Sequence, residues 1–242
     1  MDPVRPNSEV YAEHALGGAM LDTIESAVGY NRWIVDFFRP YLGAANVELG
    51  AGHGTLTEIV GADYRVRPFD VEPDNLRVLS KRFAGHPRVA ACGSDILELR
   101  EFDSLDCIYS SNVLEHIVDD ATVVQHCARL LKPGGWFVAL VPAGRWLYSD
   151  FDRALGHHRR YVAADLKRLE VTQGPARLLT RDCRYVNIPG AFGWFLQMRL
   201  LGHSAVGTGD VRKVELLLPV IRLLDRLRLP VGQSLVFAMQ RT

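Results

Sequence analysis

Between Asn46 and Val141 short apolar runs alternate with amphipathic stretches, and that alternation restricts the segment to a mainly parallel sheet wrapped by helices. The expected strands are Asn46 to Leu49, Tyr64 to Phe69, Val89 to Cys92, Leu105 to Ser110 and Trp136 to Val141, short enough to be buried on both faces. Asp119 or Asp120 can cap a helix running to about Leu131, whose Val123, Val124, Cys127, Leu130 and Leu131 share one face. Lys132-Pro133-Gly134-Gly135 then stops it and turns the chain. Upstream, residues 8–42 read as helical, with Tyr30, Trp33, Phe37 and Phe38 as packing residues and Tyr30 or Trp33 also able to cover a ligand. Downstream come a helix over 163–170 and strands at Ala176 to Arg184 and Ser234 to Gln240. The apolar segments at Ala191 to Leu201 and Val214 to Leu229 fill the gap before the last strand and are expected to be helical.

The first strand runs into Val47-Glu48-Leu49-Gly50-Ala51-Gly52-His53-Gly54. Glycines there let the backbone turn sharply and approach a ligand at the carboxyl end of the sheet. Glu48 can accept a hydrogen bond from a ligand ammonium. A dinucleotide fingerprint requires glycine where Thr55 stands, which argues against NAD. Asp70 closes the second strand and can receive two ribose hydroxyls, and Asp95 follows the third strand, within reach of an adenine amino group. Each feature alone is also explained by a turn or a solvated strand end, but three in register at successive strand ends point to a nucleotide-like ligand.

Glu48 to Gly54, Asp70, Gly93-Ser94-Asp95-Ile96, Ser110-Ser111-Asn112-Val113-Leu114-Glu115-His116 and Leu131 to Gly135 resemble the successive motifs of class I S-adenosylmethionine-dependent methyltransferases. The resemblance implies a Rossmann-like α/β fold with a seven-stranded, mostly parallel sheet whose last strand is antiparallel. It also implies S-adenosyl-L-methionine as cofactor. Glu48, Gly50, Ala51, Gly52 and Gly54 would hold the methionine part, Asp70 and Val71 the ribose side, Asp95 and Ile96 the adenine, and Ser110 to Asn112 the approach to the sulfonium, with Tyr30 beside them. Tyr30-Asn31-x-Trp33, Gly156-His157-His158-Arg159-Arg160-Tyr161, Asn187-Ile188-Pro189-Gly190 and Gly232-Gln233-Ser234-Leu235 extend the resemblance to a bacterial subgroup that modifies small molecules or glycoconjugates. One domain over 1–242 is expected, with a helical cap at 1–44, a cofactor core at 45–142 and an acceptor-side half at 143–242 carrying an insertion at about 187–231.

Methyl transfer from a sulfonium needs mainly positioning, and a hydroxyl acceptor also needs a base. His157 is the first candidate and His116 the second, while His158, Arg159, Arg160 and Tyr161 are placed on the acceptor side. A plain loop histidine held by Asp150 or Asp152 remains the competing reading of His157. Asp150, Asp152 and His157 contain residue types that bind divalent ions, at a spacing too loose to assign a metal.

Lys+Arg and Asp+Glu both total 28, so nothing predicts attraction to nucleic acid, and no base-flipping motif is present. Four cysteines without a CxxC pair, together with the lack of a leader or a spanning segment, suggest a cytoplasmic protein. The amphipathic stretch around Glu215 to Arg226 can form a lid over the acceptor, a homodimer contact or a peripheral membrane surface, in that order. The expected function is O-methylation of a small molecule or glycoconjugate. N- or C-methylation of a secondary metabolite, or a non-catalytic S-adenosylmethionine-binding regulator, are the alternatives.

Overall fold

The computed structural model describes residues 25–200 and 208–242; the part of the expected N-terminal helix before residue 25 lies outside them. In chain order the elements are α1 (Val28–Phe38), β1 (Asn46–Leu49), α2 (Thr55–Gly61), β2 (Val66–Phe69), α3 (Pro73–Arg82), β3 (Leu105–Ser111), α4 (Asp120–Leu130) and β4 (Leu131–Pro142). They continue with α5 (Asp150–Ala154), α6 (Leu166–Leu169), β5 (Leu178–Val186), α7 (Ile188–Trp194), a π-helical turn (Phe195–Leu200), α8 (Thr208–Asp225) and β6 (Ser234–Arg241). The sheet order is β2-β1-β3-β4-β6-β5. β1 pairs in parallel with β2 and β3, β3 with β4, and β6 runs antiparallel to both β4 and β5.

Six strands are therefore present where seven were expected. Segment 89–93 lies along β2 but makes only isolated parallel bridges, Val66 with Val89 and Phe69 with Gly93. Pro68 is the reason. Val66 exchanges hydrogen bonds with Arg88 and Ala90, but Pro68 has no N–H for the next rung, and a proline in a strand forces an edge or a bulge. Gly93 donates to the Pro68 carbonyl one residue out of step. The Lys132–Gly135 turn is also corrected: these residues belong to β4, where the register breaks between Leu105 and Cys107 and Gly134 takes φ +83°. Asp119 caps α4 by accepting the Thr122 N–H at 3.0 Å.

Period-two alternation divides the buried strand residues between two cores. Val47, Leu49, Ile108, Phe137, Ala139 and Phe237 pack with Val124 and Cys127 of α4 on one face. Cys107, Tyr109, Val138, Leu140 and Val236 pack with Trp33, Phe37 and Phe38 of α1 and Leu218 and Ile221 of α8 on the other. The expected insertion is helical, and α8 is fastened to α1: Glu215 Oε1 accepts the Tyr30 N–H at 2.8 Å, near the positive end of α1. Gly29 makes the approach feasible, since a Cβ there would sit 2.5 Å from Glu215 Oε2. Among the described residues no helix is long and apolar enough to cross a membrane.

Glu215→Ala removes a donor's partner at a helix start, so it should destabilise the fold by about 0.5–2 kcal/mol in urea unfolding. An unchanged midpoint would show that α8 is held by its apolar face alone.

Candidate active site

A cavity of about 1860 Å³ opens at the carboxyl ends of β1, β2, β3 and β4. It forms where the order reverses between β1 and β3, a position that leaves a crevice uncovered by crossover connections. Alternation turns Glu48 to the face opposite Val47 and Leu49, where it lines the cavity yet is buried. Its Oε2 accepts the Thr57 hydroxyl at 2.5 Å and the Tyr109 hydroxyl at 3.0 Å. Burial pushes its pKa up to about 7 against the pull of those two donors.

The loop after β1 is shaped by its glycines. Gly50 has φ +74°, and a Cβ there would lie 2.2 Å from the Val113 side chain. Asp70 ties this loop to the next one, with Oδ2 accepting the Gly52 N–H at 2.7 Å and Oδ1 accepting the Glu72 N–H and the Asn75 amide. Asp95 accepts the Leu97 N–H at 2.8 Å, and with Val71 and Ile96 it lines the same end of the cavity. Tyr30 and Asn112 are also in the lining, as is Ala51. Trp33 is buried in the core, so of the two aromatics only Tyr30 reaches the cavity.

The other end is organised by Asp152, which is fully buried in α5. It accepts from the Ser149 N–H and hydroxyl at 2.9 Å, from His157 Nδ1 at 3.0 Å and from Arg160 Nε at 2.8 Å. Burial alone would raise its pKa; the His157, Arg160 and Ser149 contacts outweigh that and hold it below the usual range. With Nδ1 committed to a carboxylate, His157 turns Nε2 toward Glu115, 4.0 Å away. His116 lies edge-on to His157 with centroids 4.6 Å apart. Desolvation, then the charges of His157 and His158, push its pKa down to about 4.

Glu115 was not singled out in the sequence, although its motif was. Its side chain is fully buried with neither carboxylate oxygen hydrogen-bonded, and burial pushes its pKa up to about 8. Ligand atoms of Glu115, His116 and His157 lie within 4.8 Å of one another, a set able to hold a divalent ion. Asp150, by contrast, is exposed and paired with Arg153.

Several expected site residues face elsewhere. His158 and Arg160 line the cavity, but Arg159 and Tyr161 do not, because the segment is extended and alternate side chains point to opposite sides. Tyr161 is fully buried and donates to Asp120 at 2.6 Å. Arg159 pairs with the same Asp120 at 3.0 Å and donates to the Val118 carbonyl. Ser110 is buried and donates to the Leu49 carbonyl at 3.0 Å, leaving Ser111 in the lining. Gly54 caps α2 in the left-handed region against Phe83 and Leu79 and is not in the lining either. Conversely, Asn187 and Gln233, which carried no assigned role, meet across 46 residues: the Asn187 amide donates to Gln233 Oε1 at 2.7 Å. Both line the cavity beside Trp194, on which the Arg160 guanidinium stacks at 4.6 Å.

Residues 47–139, which include the glycine loop, Asp70 and Glu115-His116, match the methyltransferase domain family. Those residues carry a methyltransferase domain. S-adenosylmethionine is the cosubstrate that this match and solved neighbours of the same fold holding S-adenosylhomocysteine support. The chain is 34% identical over 137 residues to a ubiquinone biosynthesis O-methyltransferase of Ralstonia nicotianae, covering 54% of this chain and 52% of that one. The alignment thus spans about half the length of this relative, and the same holds for the similarly named protein of Thiobacillus denitrificans, at 53%. A ubiquinone biosynthesis O-methyltransferase of Xylella fastidiosa is 28% identical over 222 residues, 76% of this chain and 83% of that one. Geranyl diphosphate C-methyltransferase from Streptomyces coelicolor shares the fold, with a TM-score of 0.59 at 14% identity over 86% of this chain and 74% of that one.

Asp120 serves the fold, so Asp120→Ala should cost about 1–3 kcal/mol in urea unfolding by leaving the Tyr161 hydroxyl buried without an acceptor. S-adenosylhomocysteine affinity should stay unchanged. Lost affinity at unaltered stability would return Arg159 and Tyr161 to the site.

Proposed function

We propose that the methyltransferase acts in the cytoplasm on a hydroxyl oxygen of a small molecule or glycoconjugate, with His157 as the base. The observation that carries this reading is the Asp152–His157 contact of 3.0 Å, which fixes the imidazole of a residue lining the cavity and leaves Nε2 as the nitrogen free of that contact. The names of the relatives, O-methyltransferases, support oxygen as the acceptor.

The glycine loop and Glu48 hold the methionine part, Glu48 Oε1 meeting the ammonium because Thr57 and Tyr109 both bind Oε2. Asp70 binds the ribose hydroxyls, and Val71, Asp95 and Ile96 flank the adenine. Tyr30 and Asn112 close the cofactor side. The donor set fits: a buried carboxylate for an ammonium, a second for a diol, and a backbone cradle that a Cβ at Gly50 would fill. When bound, S-adenosylmethionine supplies an electrophilic methyl whose S–CH3 bond breaks as the acceptor's O–CH3 bond forms. His157 Nε2 takes the hydroxyl proton, and Asp152 stabilises the resulting imidazolium. His158 and Arg160 orient the acceptor, with Trp194, Asn187 and Gln233 as its wall.

A second reading is favoured by the unpartnered Glu115 carboxylate. A divalent ion held by Glu115, His116 and His157 would acidify the acceptor hydroxyl instead of the imidazole accepting its proton. Activity unaffected by chelators selects the general base; activity abolished by chelators and restored by one divalent ion selects the metal.

With S-adenosylmethionine and a panel of phenolic and sugar acceptors, His157→Ala should lower turnover by about 10²–10⁴-fold at nearly constant cofactor affinity. Turnover near wild type would make His157 structural. The pH dependence of binding has a definite sign. Glu48 titrates at about 7 in the free protein, and an ammonium ligand binds its ionised form. Affinity should therefore fall about tenfold for each pH unit below 7, and Glu48→Gln should flatten that slope. An equal slope in the variant would remove Glu48 from the ammonium site.

A further inference from the structure

Eight of the fourteen exposed large apolar side chains among the described residues fall between Phe192 and Leu229, far more than scattered exposure would place there. On α8, Leu216, Val220 and Leu223 recur at helical spacing with exposures of 81%, 47% and 62%, and Leu227 continues the stripe just past the helix end at 62%. The opposite side of the same helix is committed inward, with Leu218 and Ile221 in the core. Phe192 and Leu196, on α7 and the turn after it, add two more exposed apolar groups beside α8.

Among the described side chains of this segment, the charged groups left facing outward are arginines. Two of its carboxylates are used internally: Glu215 accepts from Tyr30, and Asp225 is buried and accepts the Asn187 N–H at 2.8 Å. Arg222, Arg226 and Arg228 are exposed, two of them in loose pairs at 3.4 and 3.5 Å with Asp36 and Asp182. Leu217 joins the outside to the inside. It lines the cavity and is itself 42% exposed, next in sequence to Leu216 of the outer stripe.

We propose that the outer face of α8, with Phe192 and Leu196, docks on the surface of an anionic lipid bilayer and admits a hydrocarbon-bearing acceptor past Leu217. An apolar helical stripe edged by arginines fits the boundary between headgroups and acyl chains. A second copy fits less well, because it would cover the Leu217 edge that connects the stripe to the cavity. The acceptor half of the proposal rests on the methyl-transfer reading; the docking half does not.

Flotation with vesicles of phosphatidylcholine, with and without phosphatidylglycerol, tests it on the full chain. Wild type should float with the phosphatidylglycerol vesicles, and Leu216→Glu combined with Leu223→Glu should reduce binding at least about tenfold. S-adenosylhomocysteine affinity should be equal in the two proteins, which shows that the variant is folded. Arg226→Glu provides an independent variant and should weaken binding only where phosphatidylglycerol is present. Failure of wild type to float would overturn the proposal, as would a solution dimer that the leucine double variant dissociates. Failure of the methyl-transfer reading would show separately, as absent turnover in a protein that still floats.

Discussion

Parallel pairing of β1 with β3 is the constraint on which the remaining structure depends. From this pair the chain proceeds outward in opposite directions, to β2 on one side and β4 on the other, so the loops at their carboxyl ends diverge and leave the cavity between them. The register sets Glu48 opposite Tyr109 and Leu49 opposite Ser110. The first match delivers a hydroxyl to a buried carboxylate. The second uses Ser110 to fasten the strand ends. The register that builds the sheet therefore also sets what surrounds the Glu48 carboxylate.

Three of the buried carboxylates in or behind the cavity wall, Asp152, Glu48 and Glu115, differ through their surroundings. Asp152 has four donors, one of them a guanidinium, and stays ionised. Glu48 has two neutral donors and titrates at about 7. Glu115 has none and is held protonated to about 8. Burial is common to all three, so the count and charge of hydrogen-bond donors decides their state. One carboxylate therefore stays charged beside a histidine while another lies close to its titration point near neutral pH.

What was legible in the sequence is what local backbone chemistry dictates. Glycines at 50 and 52 announce a tight loop, and Asp70 and Asp95 announce themselves by following strands. Residues 157–161 were read as one acceptor-side block, but extended backbone sends Arg159 and Tyr161 to Asp120 while His158 and Arg160 face the cavity. The pairing of Asn187 with Gln233 was invisible because it depends on β5 and β6 lying side by side. Pro68 was in plain view, yet its effect appears only once a neighbouring segment needs the N–H that it lacks.

Glu48, the glycine loop and Asp70 are the part of this account on which the rest is built, and calorimetric titration with S-adenosylhomocysteine and with NAD tests them most directly. The account predicts saturable binding of S-adenosylhomocysteine at one site per chain and no measurable binding of NAD. Tight NAD binding, with S-adenosylhomocysteine giving no signal, would contradict it.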